Sequence, residues 1–170
     1  MDTDLLTIDA VNAMDRDTFV AAFGHVLEHS PALAVAAWGR APFADCDALV
    51  EAFRAVLADL PDADALELLR AHPELGARRP MAAASVAEQA SAGLDRAAVE
   101  LQARLDDGNA RYRERFGFPF IVAVRGMTGD EVAAELDRRL GHDADTERAE
   151  AVRQVGRIAE LRIDAVVVDP

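Results

Sequence analysis

Residues 45–57 read Asp-Cys-Asp-Ala-Leu-Val-Glu-Ala-Phe-Arg-Ala-Val-Leu. Leu49, Phe53, Val56 and Leu57 recur at the spacing of one helical face, and Asp45 stands where an N-cap carboxylate meets the first free amides. The same pattern recurs on both sides. Upstream, Asp15 caps a predicted helix carrying Phe19, Phe23, Val26 and Leu27, which should end near Ser30, before Pro31. The apolar stretch from Ala32 to Trp38 follows. Downstream, Asp62 opens a helix with Leu66 and Leu69 inward, stopped by Pro73. Residues 74–84 read as a loop, and Ser85-Val86-Ala87-Glu88 has the form of a capping box. A long helix is predicted from about Asp95 to Phe116, carrying Val99, Leu101, Leu105 and Tyr112. A second capping box, Thr128 to Glu131, opens a helix to Leu140. A last helix runs from about Thr146 to Ile163, ahead of a short apolar tail. Alternation of the strand kind is nearly absent. The fold expected is all-α, a single-domain helical bundle spanning residues 1–170, with its core in about residues 15–165 and about seven to nine helices.

The 170 residues are enough for one domain with a real core. With 51% hydrophobic and 29% charged residues the chain is globular rather than disordered. A single cysteine, Cys46, excludes a disulfide framework and any multi-cysteine metal site. Its 31 acids face 18 bases, every one of them arginine, for a net charge of −13. Such a surface repels phosphate backbones and anionic lipid, so neither nucleic acid nor membrane is an expected partner. Acid excess without lysine is shared by GC-rich genomes and high-salt cytoplasms, and composition does not separate them. The acidic start, Met1 to Ala10, fits neither a secretory nor a transit peptide, and no apolar run is long enough to cross a bilayer.

The chain has no glycine-rich nucleotide fingerprint and no phosphate-binding loop. His25 and His29, four apart, lack the further ligands that zinc requires, so no metal is expected. His142 falls in a polar loop and is unremarkable by spacing. His72 ends a predicted helix directly before Pro73. It reads either as a side chain meeting a helix dipole or as a general acid or base, since imidazole titrates near neutrality. Glu88 reads as a helix cap or as the carboxylate such a histidine needs. The stretch Phe116-Gly117-Phe118-Pro119-Phe120-Ile121-Val122-Ala123-Val124 is the densest apolar run. It reads as core, but Pro119 disrupts regular structure and would leave nearby backbone groups for a small, planar, polar ligand.

The order of these elements is more specific than any one of them. Glu28-His29-Ser30-Pro31, Arg40-Ala41-Pro42-Phe43 and His72-Pro73-Glu74-Leu75 come first. Ser85-x-x-Glu88-Gln89-x-x-Ala92-Gly93-Leu94 and Tyr112-x-x-x-Phe116-Gly117-Phe118-Pro119-Phe120-Ile121 follow. Together with Arg139-Leu140, Glu147 and Ile158-Ala159-x-Leu161-Arg162, this series resembles the 2-oxo-4-hydroxy-4-carboxy-5-ureidoimidazoline (OHCU) decarboxylases of urate breakdown. The resemblance covers about Phe19 to Ile163. It departs at His142, where the family usually has asparagine, and at Ala32, where tryptophan is frequent.

The resemblance implies an all-helical, typically dimeric enzyme without a cofactor that converts OHCU to (S)-allantoin. It puts His72 at the catalytic acid/base position, with Glu88 oriented towards it and Pro73 lining the pocket. Ser85 and Gln89 would hold polar edges of the substrate. Phe120, Ile121, Val122, Ala123 and Val124 would supply backbone contacts to the ring, with Phe118 and Phe120 as an apolar wall, and Arg125 would recognise the carboxylate. A cytoplasmic homodimer is the expected setting, since the peroxisomal tripeptide of some members is missing. Two other readings stand beside this one: a helical interaction module without catalysis, in which His72 and Glu88 only cap helices, and a relative acting on another ureido or imidazoline compound.

Overall fold

The computed structural model describes residues 5–28, 30–75 and 97–169. Among them are eight helices: α1 (Ile8–Asn12), α2 (Arg16–Phe23), α3 (Pro31–Trp38), α4 (Cys46–Ala58), α5 (Asp62–Ala71), α6 (Ala97–Phe116), α7 (Gly129–Arg139) and α8 (Ala144–Asp164). Two short strands, β1 (Leu6–Thr7) and β2 (Val167–Val168), pair in parallel, Leu6 opposite Val167, so the two ends of the described chain meet.

Most starts and stops follow the expected chemistry. Asp15, Asp45 and Asp143 each accept a backbone N–H from three residues on, at Thr18, Ala48 and Thr146. Thr128 and Glu131 exchange both bonds of a capping box at the head of α7. Three expectations are corrected. The helix from Asp15 stops at Phe23 rather than Ser30, because the chain turns through residues 24–28 and Glu28 takes a positive φ of 27°. Val99 is exposed rather than inward, and Leu66 is only half-buried while Leu68 and Leu69 fill the buried face of α5. The Ser85–Glu88 box lies outside the described residues.

α8 is the central helix: α4, α5 and α6 all pack on it, while α7 packs on α6 and α2 on α3. One aromatic group, Phe19, Phe23, Phe43 and Phe53, fills the α2–α4 side of the core. A second gathers on Tyr112, with Phe116, Phe118 and Phe120 at centroid distances of 4.7, 5.8 and 5.3 Å. The second group contains the site-bearing segment after α6.

α6 is turned into that segment at Gly117, whose φ is +78°. A side chain there is strained whatever the free space. Gly117→Ala is expected to cost about 1–2 kcal/mol, read as a lower urea midpoint with an unchanged slope.

Candidate active site

His72 is the C-cap of α5, and its extended backbone (φ −66°, ψ 137°) follows from the proline after it. The segment it opens is tied to α6 and its exit. Arg70 Nε donates to the Gly117 carbonyl at 3.2 Å, Arg113 pairs with Glu74 at 2.5 Å, and Asn109 Nδ2 donates to the Leu75 carbonyl at 2.8 Å. Every one of these contacts crosses more than thirty residues of sequence. His72 and Pro73 are thus held next to the turn that leads into Phe118–Arg125.

The imidazole is partly buried, and its Nδ1 is sealed from solvent with no hydrogen-bond partner among the described residues. Burial pulls its pKa below the ordinary imidazole value; the charge of Glu28 pulls it back up and that of Arg162 pushes it further down. Glu28 sits in the turn after α2 and pairs with Arg162, whose Nη1 also donates to the carbonyls of His25 and Val26, both at 3.0 Å. Because the folded pKa is depressed, the unfolded chain binds more protons than the native one as pH drops through the ordinary value near 6.5. The stability this group contributes is present above that pH and lost below it. Urea unfolding between pH 7.5 and 5 is therefore expected to show a steeper loss for the wild type than for His72→Asn.

The second part of the site is the irregular chain after Phe116. Phe118, Phe120, Ile121 and Val122 are buried, Ala123 is half-buried, and Val124 and Arg125 are exposed. Much of its backbone is already engaged. The Ile121 carbonyl accepts from Arg139 Nη1 at 2.6 Å, the Ala123 N–H donates to Gln154 Oε1 at 3.0 Å, and the Val124 carbonyl accepts from Met127. These three groups are held by the protein itself, which narrows the backbone contacts left for a ligand. Phe120 packs edge-on to Tyr112 with the Arg139 guanidinium 4.8 Å from its ring centroid, and Phe118 lies against Tyr112 and Phe116. Val122, Ala123 and Arg125 also edge a cleft of about 280 Å³ completed chiefly by Arg153, Arg157 and Leu161 of α8. His72 does not line this cleft. Ser85, Glu88 and Gln89 lie outside the described residues.

A fully buried ion pair supports this segment from behind. Arg139 and Glu147 are both 0% exposed, and Arg139 Nε reaches Glu147 Oε1 at 2.8 Å. The Tyr112 hydroxyl donates to the same carboxylate, and its burial and that bond push its pKa up. His142 closes the cluster with Nδ1 2.8 Å from Glu147 Oε2. Arg138 Nη1, which can only donate, faces His142 Nε2 at 3.0 Å, so Nε2 accepts and the proton sits on Nδ1. The loop histidine that looks unremarkable in sequence is thus part of the cluster behind the site.

Sequence reasoning assigned no role to Glu28, Arg162, Tyr112, Arg139 or Glu147. Each lies within the series of sequence elements quoted above, but only folding shows that the charges oppose one another. A readable hint exists for one pair: Arg139 and Glu147 carry opposite charges eight residues apart, on either side of the helix break at Asp143.

The arrangement is that of an all-helical chain with a partly buried imidazole against a rigid aromatic segment. The chain belongs to the OHCU decarboxylase family, whose model matches residues 12–164. It is 47% identical over 161 residues to the 2-oxo-4-hydroxy-4-carboxy-5-ureidoimidazoline decarboxylase of Haloferax volcanii, covering 93% of this chain and 94% of that one. The enzyme of the same name from Halalkalicoccus jeotgali is 39% identical, with 96% and 93% covered. Among solved structures, an (S)-allantoin synthase superposes with a TM-score of 0.74 at 26% identity over 95% of this chain. This chain spans about half of that longer one, 54%.

Proposed function

We propose that this chain is a carboxy-lyase that converts OHCU to (S)-allantoin in urate breakdown, with His72 as the acid/base group and no cofactor. The observation that supports it best is the imidazole at position 72, partly buried with Nδ1 unpartnered among the described residues, in a chain 47% identical to an enzyme of that name. The chemistry explains why side chains suffice. The substrate bears a carboxylate and a hydroxyl on one ring carbon, beside a C=N unit. When the carbon–carboxylate bond breaks, CO2 leaves and the electron pair moves into that unit. His72 takes the hydroxyl proton as the carbonyl forms and returns a proton to one face of the neighbouring ring carbon. One further proton from water reaches the ring nitrogen, balancing the carboxylate lost as CO2. The protein's tasks are orientation, charge stabilisation and face selection.

In this reading Glu88 aligns His72, and Ser85 and Gln89 bind the polar edges. Pro73 and Phe120 border the ring, and the backbone from Ile121 to Val124 contributes its remaining groups. Arg125, exposed and without an ion pair among the described residues, meets the carboxylate. The chain acts as one domain and as a homodimer in the cytoplasm, the second point checked by light scattering.

The test generates OHCU from urate with an oxidase and a hydrolase, then follows allantoin by circular dichroism. Adding this chain should give a growing signal of one sign well before spontaneous decay. A signal no faster and no more optically active than in its absence contradicts the proposal and favours the non-catalytic helical module. Activity on a different ureido compound alone would favour the other reading.

A further inference from the structure

Glu28 stands apart on three counts. It is the only non-glycine residue with positive φ among the described residues, at 27°. Its carboxylate is largely withdrawn from solvent, 17% exposed, although it lies in a turn. It pairs with Arg162, whose guanidinium is held at three points on the same turn. A side chain tolerates a left-handed backbone at a cost of about 1 kcal/mol or more, so the turn is shaped to put this carboxylate where it is.

The helices bring that turn to His72. Asp62 at the start of α5 pairs with Arg148 near the start of α8, at 3.6 Å. α5, which ends at His72, packs on α8, which carries Arg162, and the charges of both Glu28 and Arg162 act on the His72 imidazole. Among the described residues, the charged groups nearest His72 in sequence are committed elsewhere: Arg70 to the Gly117 carbonyl and Glu74 to Arg113.

We infer that Glu28 is a positioning residue of this site. Its carboxylate fixes the Arg162 guanidinium at the end of α8 and supplies the negative charge that, among the described residues, faces His72. Without it, Arg162 stays beside the imidazole unneutralised, and a cation there opposes imidazolium. His72 becomes a weaker base, and the arginine loses its aim. The inference rests on His72 as the proton-handling group only for its effect on turnover; the placement itself is independent of the reaction.

Two readouts test it, the Hε1 NMR titration of His72 (assigned with His72→Asn) and the pH profile of OHCU decarboxylation. In Glu28→Gln the titration midpoint should fall by roughly half a unit or more. The acid limb of kcat/KM should move the same way, and kcat should drop about tenfold with KM little changed. Glu28→Asp, which keeps the charge, should restore most of both. Arg162→Met should move the midpoint upward, and it carries the test with opposite sign if Glu28→Gln does not fold. An unmoved midpoint in Glu28→Gln, or a fall in Arg162→Met, overturns the inference. A wild type that leaves OHCU decay unaccelerated, with midpoints moving as stated, counts against decarboxylation and supports the placement of Glu28.

Discussion

His72→Asn is expected to lower the decarboxylation rate by about 10²–10⁴-fold, the range for losing a positioned acid/base group, with far-UV circular dichroism unchanged. Asparagine keeps a polar side chain at the C-cap but cannot accept and return a proton near neutral pH. The backbone of the segment is fixed independently, by Arg70 on Gly117 and by Asn109 on Leu75, so the substitution should not move it. KM should change little if the residual binding groups are intact, because the interaction removed is one made during proton transfer. Stopped-flow decay of the OHCU absorbance measures both constants. Turnover within a factor of two of wild type would remove His72 from the chemistry.

The second large effect is on stability. Glu147→Gln is expected to cost about 3–5 kcal/mol, because it leaves the Arg139 charge buried without its counterion. The carboxylate accepts from Arg139 and Tyr112 and faces His142, so the neutral amide cannot satisfy the same set. Tyr112→Phe removes a single donor and should cost less, about 1–2 kcal/mol. Replacing both ions, Arg139→Met with Glu147→Leu, should be milder than Glu147→Gln alone, since no uncompensated charge remains. Urea denaturation separates the three. The double variant should nevertheless lose activity, because the Ile121 carbonyl would no longer be held by Arg139. A Glu147→Gln protein within 1 kcal/mol of wild type would mean that water or rearrangement relieves the buried cation.

The two predictions bear on different layers of the molecule, and sequence revealed those layers unequally. Helices were legible wherever a capping side chain met a clean apolar stripe, as at Asp45 with Leu49 and Phe53, or at the Thr128–Glu131 box. These are local interactions, complete within one or two turns. The end of α2 was not legible, because apolar residues Val26 and Leu27 continue the helical spacing after the helix has stopped. Both are buried, but from a turn. Tertiary burial there has the same pattern as helix continuation.

The site was legible as a set of residue types but not as a set of contacts. His72 before Pro73 announced its extended backbone, and the apolar run around Pro119 announced irregular chain. What local spacing could not announce is that Glu28 and Arg162, 134 positions apart, share one bond. Nor could it show that the Ile121 and Ala123 backbone groups are satisfied by Arg139 and Gln154. Long-range polar pairing has no period. His142 shows the same limit, since its bond to Glu147 depends on how the α7–α8 loop folds back.

The most direct measurement is a crystal structure of this chain with (S)-allantoin bound. The expected result puts the hydantoin ring within hydrogen-bond reach of His72, with Glu88 and Gln89 turned towards it and the Phe120–Val124 backbone along its edge. Product seated instead in the arginine-edged cleft of α8, away from His72, would contradict the assignment of the imidazole to the reaction.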